Sequence, residues 1–173
     1  PTIAADLGVS IPSAGLLVSL YALGVTIGAP VLTAMADRVP RKTLLLLLLA
    51  LFTLGNAYAA FAPDYGSLVA ARFITGLAHG VFFAIASTIA TDLVEPEKES
   101  SAIALVFLGL TVALVTGVPL GTFIGQNFGW QSTFLGVVAL GVIGFIASAI
   151  LVPANLTKAA SAGIKAQLQV LTS

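Results

Sequence analysis

The sequence predicts an all-α integral membrane protein with five transmembrane helices. Three observations carry this: five long apolar stretches, a composition that is 58% hydrophobic and only 8% charged, and a one-sided distribution of Lys and Arg. A mean hydropathy of +1.10 exceeds what a soluble domain of 173 residues could bury. The stretches cover residues 13–36, 43–62, 67–91, 102–125 and 132–152, each near the ~20 residues that cross ~30 Å of hydrocarbon. Threaded alternately through a bilayer, they gather Arg38, Arg41, Lys42, Lys98, Lys158 and Lys165 on one side and leave the opposite loops without Lys or Arg. By the positive-inside rule that side is cytoplasmic, so residue 1 is external and residue 173 cytoplasmic. An odd number of crossings from an external start leads us to expect more chain before Pro1.

The elements follow in order. Residues 1–12 are rich in turn formers and are expected to be an external loop, with Ser13 capping the first long helix. Asp37 to Lys42 is a six-residue basic connection, which makes the first two spans antiparallel neighbours. Pro63 to Gly66 is a tight external turn, and Glu95 to Ser100 a longer internal loop. Gln126 to Trp130 is the last external turn, with Trp130 at the depth where aromatic rings favour the bilayer interface. Beyond Pro153 small and polar residues take over: residues 154–173 read as a cytoplasmic linker following a bundle of residues 1–153. Ile164 to Leu171 could form a short amphipathic helix there.

Composition also excludes. A net charge of zero offers no basic field for nucleic acid. With no Cys and a single His, neither a disulfide nor a metal cluster is expected. No nucleophile with its base, carboxylate pair or phosphate loop is present, so enzymatic catalysis and a bound cofactor are not expected.

Membrane helices associate by close contact of small residues. Gly24 and Gly28 are four apart on the first span, Gly76, Gly80 and Ala84 line a stripe of the third, and Gly117, Gly121 and Gly125 line one of the fourth beside Pro119. These are candidate packing and flexing positions. Arg72 and His79, seven residues apart, share a face of the third span. At 1.5 Å per residue Arg72 lies about 8 Å below the external surface and His79 about 18 Å, near the midplane. Ionisable groups at that depth are functional candidates by default, although Arg72 is close enough to the surface to snorkel. No acidic residue in any span can pair with either. Tyr21, Thr26, Asn56, Thr111 and Thr116 are read as interhelical hydrogen-bond partners.

Several of these segments carry a family resemblance. Thr33-Ala34-Met35-Ala36-Asp37-Arg38-Val39-Pro40-Arg41-Lys42 resembles the cytoplasmic signature of the major facilitator superfamily, Gly-x-Leu-Ala-Asp-Arg-x-Gly-Arg-Lys. Arg72-Phe73-Ile74-Thr75-Gly76 resembles the Arg-x-x-x-Gly of its fourth helix. Gly117-Val118-Pro119-Leu120-Gly121 is similar to the Gly/Pro antiporter motif of the fifth, and Trp130-Gln131-Ser132-Thr133-Phe134 to the Trp-Arg-x-x-Phe opening the sixth. The departures are Thr33, Pro40 and Gln131 in place of Gly, Gly and Arg. Leu7-Gly8-Val9-Ser10 and Gly76-Leu77-Ala78-His79-Gly80 are similar to arabinose and other sugar efflux permeases of the drug:proton antiporter branch.

The resemblance implies helices 2–6 of the N-terminal half of a secondary transporter, with the first helix and the C-terminal half absent. The implied activity is proton-coupled efflux of a small organic solute, a sugar or drug, from a bacterial inner membrane by alternating access. The proton would be the coupling ion, with no other cofactor. Asp37, Arg38, Arg41 and Lys42 would then lock the cytoplasmic gate, and Arg72 would serve proton coupling, with His79 sensing pH or touching solute. A rival reading is a non-transporting five-helix scaffold. It would need the spans and glycines but gives no reason for Arg72 or the basic cluster.

Overall fold

Six helices run in chain order: α1 (Thr2–Asp6), α2 (Ile11–Ala36), α3 (Arg41–Ala60), α4 (Tyr65–Asp92), α5 (Glu99–Phe128) and α6 (Trp130–Leu151), with a 3-10 turn at Pro96–Lys98. The computed structural model describes residues 2–36, 39–154 and 156, and the side chains of all of these except 29 and 31–36. Among the described residues, the five helices α2 to α6 are long and apolar enough to span a membrane. Each begins at or before the edge of its apolar stretch, because helix continues past the hydrocarbon into the polar flanks. The linker 157–173, including Ile164 to Leu171, lies outside the described residues.

Two sequence-based expectations at the N-terminal end are corrected. Residues 1–12 are not wholly loop, since Thr2–Asp6 is helical. That turn ends at Gly8, whose φ of 63° suits glycine above other residues. The cap of α2 is Ser10 rather than Ser13: the Ser10 hydroxyl accepts the Ser13 N–H at 3.2 Å, satisfying a donor that the first turn leaves free. Three residues of shift follow from Pro12, which is tolerated within a first turn.

Helix α4 is the centre of the bundle, packing on α2, α3 and α5, while α6 packs on α3 and α5. Its buried residues, Leu68, Ala71, Thr75, Ala78, Val81, Ile85 and Ile89, recur every three or four positions, the period of one helix face. They feed two apolar clusters. One, at the end that holds α1, joins Leu17, Ala59, Leu68, Ala71 and Trp130. The other, toward the opposite end, joins Leu44, Leu45 and Leu48 to Ala78, Val81, Ile85 and Ile89. In α5, by contrast, Ala102 is the one residue buried, and Leu105, Leu108, Val112 and Val115 are exposed, a surface suited to lipid or further helices.

The helix ends are set locally. Asp64 caps α4, accepting the Ser67 N–H at 2.8 Å. That bond holds its carboxyl below the usual carboxylate range. Since the folded value is the lower one, the cap is fully effective above the ordinary carboxyl pKa and is lost as pH falls through the lowered value. Asp64→Ala is expected to lower the protection of the Ser67 amide against exchange, measured relative to its intrinsic rate, as acidification should in the wild type; unaltered protection in the variant would remove the cap from the account. Gly129, with φ of 86°, both ends α5 and opens α6, so these helices reverse direction through a single residue. Helix α5 continues through Pro119, as membrane helices can when neighbouring groups compensate.

The polar residues within the spans mostly satisfy themselves. Thr26, Thr111 and Thr116 donate to the carbonyls of Ala22, Phe107 and Val112 four residues back at 2.7–3.0 Å, and buried Asn56 donates to Phe52 at 2.8 Å. The expectation of interhelical bonds is therefore overturned for these four. The nearest acceptor is the residue's own helix carbonyl, which a short side chain reaches without a partner. Tyr21 differs, because its phenol stands far enough from the backbone to cross to another helix.

Candidate functional site

The site begins at the α2–α4 contact. A Cβ built on Gly24 would lie 3.2 Å from the Gly76 Cα and 3.1 Å from the Leu77 nitrogen. One on Gly28 would strike the Leu77 carbonyl, one on Gly76 the Tyr21 carbonyl, and one on Gly80 the Val25 carbonyl. Backbone therefore meets backbone from both sides, which only residues lacking a side chain permit. The α5 stripe is different. Gly121 and Gly125 face Thr133 of α6, at 3.3 and 2.9 Å from a built Cβ, whereas Gly117 meets nothing within 4 Å. Thr133 ties the two helices by donating to the Gly121 carbonyl at 3.0 Å.

Close approach of α2 and α4 brings Tyr21, Arg72 and His79 together. The Tyr21 hydroxyl hydrogen-bonds Nδ1 of His79, and the two rings meet edge to face with centroids 5.6 Å apart. The Arg72 guanidinium carbon sits 4.0 Å from the centroid of the same Tyr21 ring and 5.7 Å from that of Phe134 on α6. An arginine without a carboxylate is thus held on two π-faces, an attraction that reaches about 2 kcal/mol when desolvated. Among the described residues it makes no ion pair. His79 is further enclosed by Phe52 and Phe83, at ring-centroid distances of 6.0 and 5.1 Å. It is also the one ionisable residue on an apolar recess of about 590 Å³ between α3, α4, α5 and α6. Its ring thus lies between the Tyr21 phenol and this recess. Tyr21 was legible as a polar residue but not as the link between Arg72 and His79, because its register against α4 depends on which glycines face each other.

At the end of the bundle away from α1, Arg41 pairs with Asp92, the last residue of α4. Lys42 donates to the Ala149 carbonyl of α6 at 2.7 Å, near the negative end of that helix. Asp37 and Arg38 lie outside the described residues. Asp92 was missed because it falls one residue past the apolar stretch. A carboxylate at a helix C-terminus is unfavourable against the macrodipole unless a cation offsets it, and that misplacement is the signal that could have found it. At the end of the bundle that holds α1, Trp130 is 5% exposed, buried against α2, α3 and α4. Its Nε1–H donates to Asp6 at 2.9 Å, and the Gln131 amide donates to the same carboxylate oxygen at 3.1 Å.

The bundle and its two polar clusters define a multi-span helical membrane protein with a cation held inside the membrane region. The chain belongs to the Major Facilitator Superfamily, whose family model matches residues 1–171. It is 52% identical over all 173 residues to the MFS-type transporter YtbD of Bacillus subtilis (strain 168), of which it covers 44%. It is 37% identical over 163 residues, 94% of its length, to the chloramphenicol resistance protein of Streptomyces lividans, covering 42% of that protein. Over 143 residues, 82% of its length, it is 34% identical to the "Probable sugar efflux transporter" of Pasteurella multocida (strain Pm70), covering 35%. The chain thus spans less than half the length of these curated relatives.

Proposed function

We propose that the chain supplies helices 2–6 of the N-terminal half of a proton-coupled transporter that exports a small organic solute, a sugar or drug, across a bacterial inner membrane. A C-terminal half completes it. The observation that carries this reading is Arg72 stacked on Tyr21, which in turn bonds the chain's single histidine. A permanent cation and a titratable imidazole, joined through one phenol near mid-membrane, are groups that a proton pathway uses. The printed names of the Streptomyces and Pasteurella relatives support efflux of solutes of this size. Alternating access requires contacts that form in one state and break in another. Arg41 with Asp92, together with Asp37, Arg38 and Lys42, are the groups we assign to the cytoplasmic latch.

The test is made on the intact transporter in everted vesicles holding an imposed proton gradient. Chloramphenicol and L-arabinose serve as probe solutes. Uptake of either that collapses with the gradient supports the reading, and uptake indifferent to the gradient removes proton coupling from it. The latch has its own check. Arg41→Asp is expected to shift the balance of inward- and outward-facing states by about 1 kcal/mol, roughly fivefold, and Asp92→Arg in the same molecule to restore it. Accessibility of a cysteine placed on the cytoplasmic rim reads the balance, in a chain that carries no cysteine of its own. A double variant no closer to wild type than the single one would discard the pair as a latch.

A further inference from the structure

The external carboxylate and the intramembrane cluster are joined by an unbroken series of contacts. Asp6 on α1 accepts from Trp130 Nε1 and from Gln131. Ile3 and Leu7 of the same segment pack on the external cluster that contains Trp130. Trp130 meets Phe134, one turn along α6, edge to face with centroids 5.9 Å apart. Phe134 provides the second ring near Arg72, at 5.7 Å. Arg72 lies over Tyr21, and Tyr21 bonds His79. The groups facing His79 are Tyr21 from α2, Phe52 from α3, and Arg72 and Phe83 from its own helix; of these only Tyr21 and Arg72 carry or exchange charge.

Arg72 needs this support. A guanidinium on a flexible stem has several rotamers, and without a carboxylate only its two aromatic neighbours select one. Phe134 is itself held by Trp130, and the indole is held by burial and by its one hydrogen-bond donor. We propose that Trp130 and Phe134 are positioning residues for Arg72, and that Asp6 anchors them, so that the short external helix α1 sets the geometry of the Arg72–Tyr21–His79 cluster from outside the membrane. The proposal deepens the proton-coupling reading of Arg72 and rests on it for functional weight. Spatial continuity alone does not establish coupling; a perturbation at one end must be read at the other.

The composition makes that experiment direct, because Trp130 is the only tryptophan and His79 the only histidine of the chain. The intact transporter in lipid nanodiscs, with tryptophan and histidine outside these 173 residues replaced by phenylalanine and asparagine and with ¹⁵N-histidine labelling, is compared with Asp6→Ala, Asp6→Asn and Phe134→Leu, and with Lys98→Ala as the reference for unrelated change. Asp6→Ala is expected to move Trp130 emission to longer wavelength and to shift the His79 ring signals beyond the Lys98→Ala reference. Asp6→Asn, which keeps an acceptor but not the charge, should do both more weakly. Phe134→Leu should shift His79 again, with Phe134→Tyr restoring it. The proposal is overturned if Asp6→Ala leaves Trp130 emission unchanged, or if it moves the emission while the His79 signals stay at the reference. Neither readout involves flux, so such a failure leaves the transport reading standing. A transporter indifferent to Arg72 would conversely leave the relay intact but without a role in coupling.

Discussion

Replacing Gly76 by leucine is expected to separate α2 from α4 and to lower the protein's stability by about 3 kcal/mol or more, the upper range for forcing extra carbons into a packed contact. A Cβ at this position already meets the Tyr21 carbonyl, and its neighbour across the seam is the Gly24 Cα at 3.2 Å. Neither is a side chain that can rotate away, so the whole helix must move. Because α4 carries the largest set of buried residues, that movement also opens both apolar clusters. The thermal midpoint of the detergent-solubilised protein, followed by circular dichroism, measures the loss. Gly15→Ala is the control: nothing lies within 4 Å of its built Cβ, and alanine in a helix is favoured over glycine by about 0.5–1 kcal/mol. Equal midpoints for Gly76→Leu and wild type would show that the seam is not as tight as described.

The second large effect is at Arg72. Under the proposed function, Arg72→Ala in the intact transporter is expected to fold and insert yet lose proton-driven flux altogether, since among the described residues no other cation occupies the cluster. Arg72→Lys keeps the charge but replaces a planar group, matched to the Tyr21 face, with a compact ammonium. Loss of a stack worth about 2 kcal/mol corresponds to a roughly 30-fold fall in flux. Tyr21→Phe separates the two functions of the tyrosine, because the ring under Arg72 remains while the bond to His79 is lost. It is expected to retain flux but to change its dependence on pH. Flux measured across a pH series on the three variants distinguishes them, and wild-type behaviour of Arg72→Ala would remove the arginine from the mechanism.

Most of the architecture was legible because a bilayer imposes one demand on every residue of a span. Apolar length therefore suffices to locate five helices. Glycines four apart were legible as contact faces for the same reason. What the sequence could not supply was the pairing. Gly24 and Gly76 face each other, while Gly117 faces no described residue, although the two stripes read alike in one dimension. The same gap hid the cluster: Arg72 and His79 could be placed on one face by spacing, but their common partner Tyr21 is 51 and 58 residues away in the chain. The threonines failed in the opposite direction. A hydroxyl in hydrocarbon demands a partner, and the demand does not reveal that the partner lies one turn back in the same helix. At the N-terminal end, α1 is five residues long, too short for any periodic signal, and it is specified by contacts with Trp130 and Gln131 that lie more than 120 residues downstream.

The interlocked seam between α2 and α4 has a mechanical consequence. Where each helix presents a main-chain carbonyl to the place a side chain would occupy on the other, displacement by even one residue would drive Val25, Leu77 or Tyr21 into the opposing backbone. Shear along this contact is therefore blocked, and the pair behaves as one stiff beam. Tyr21 is fixed to one flange, with Arg72 and His79 on the other, so any rocking of the bundle carries all three as a unit, and motion must be taken up at looser boundaries such as the exposed side of α5.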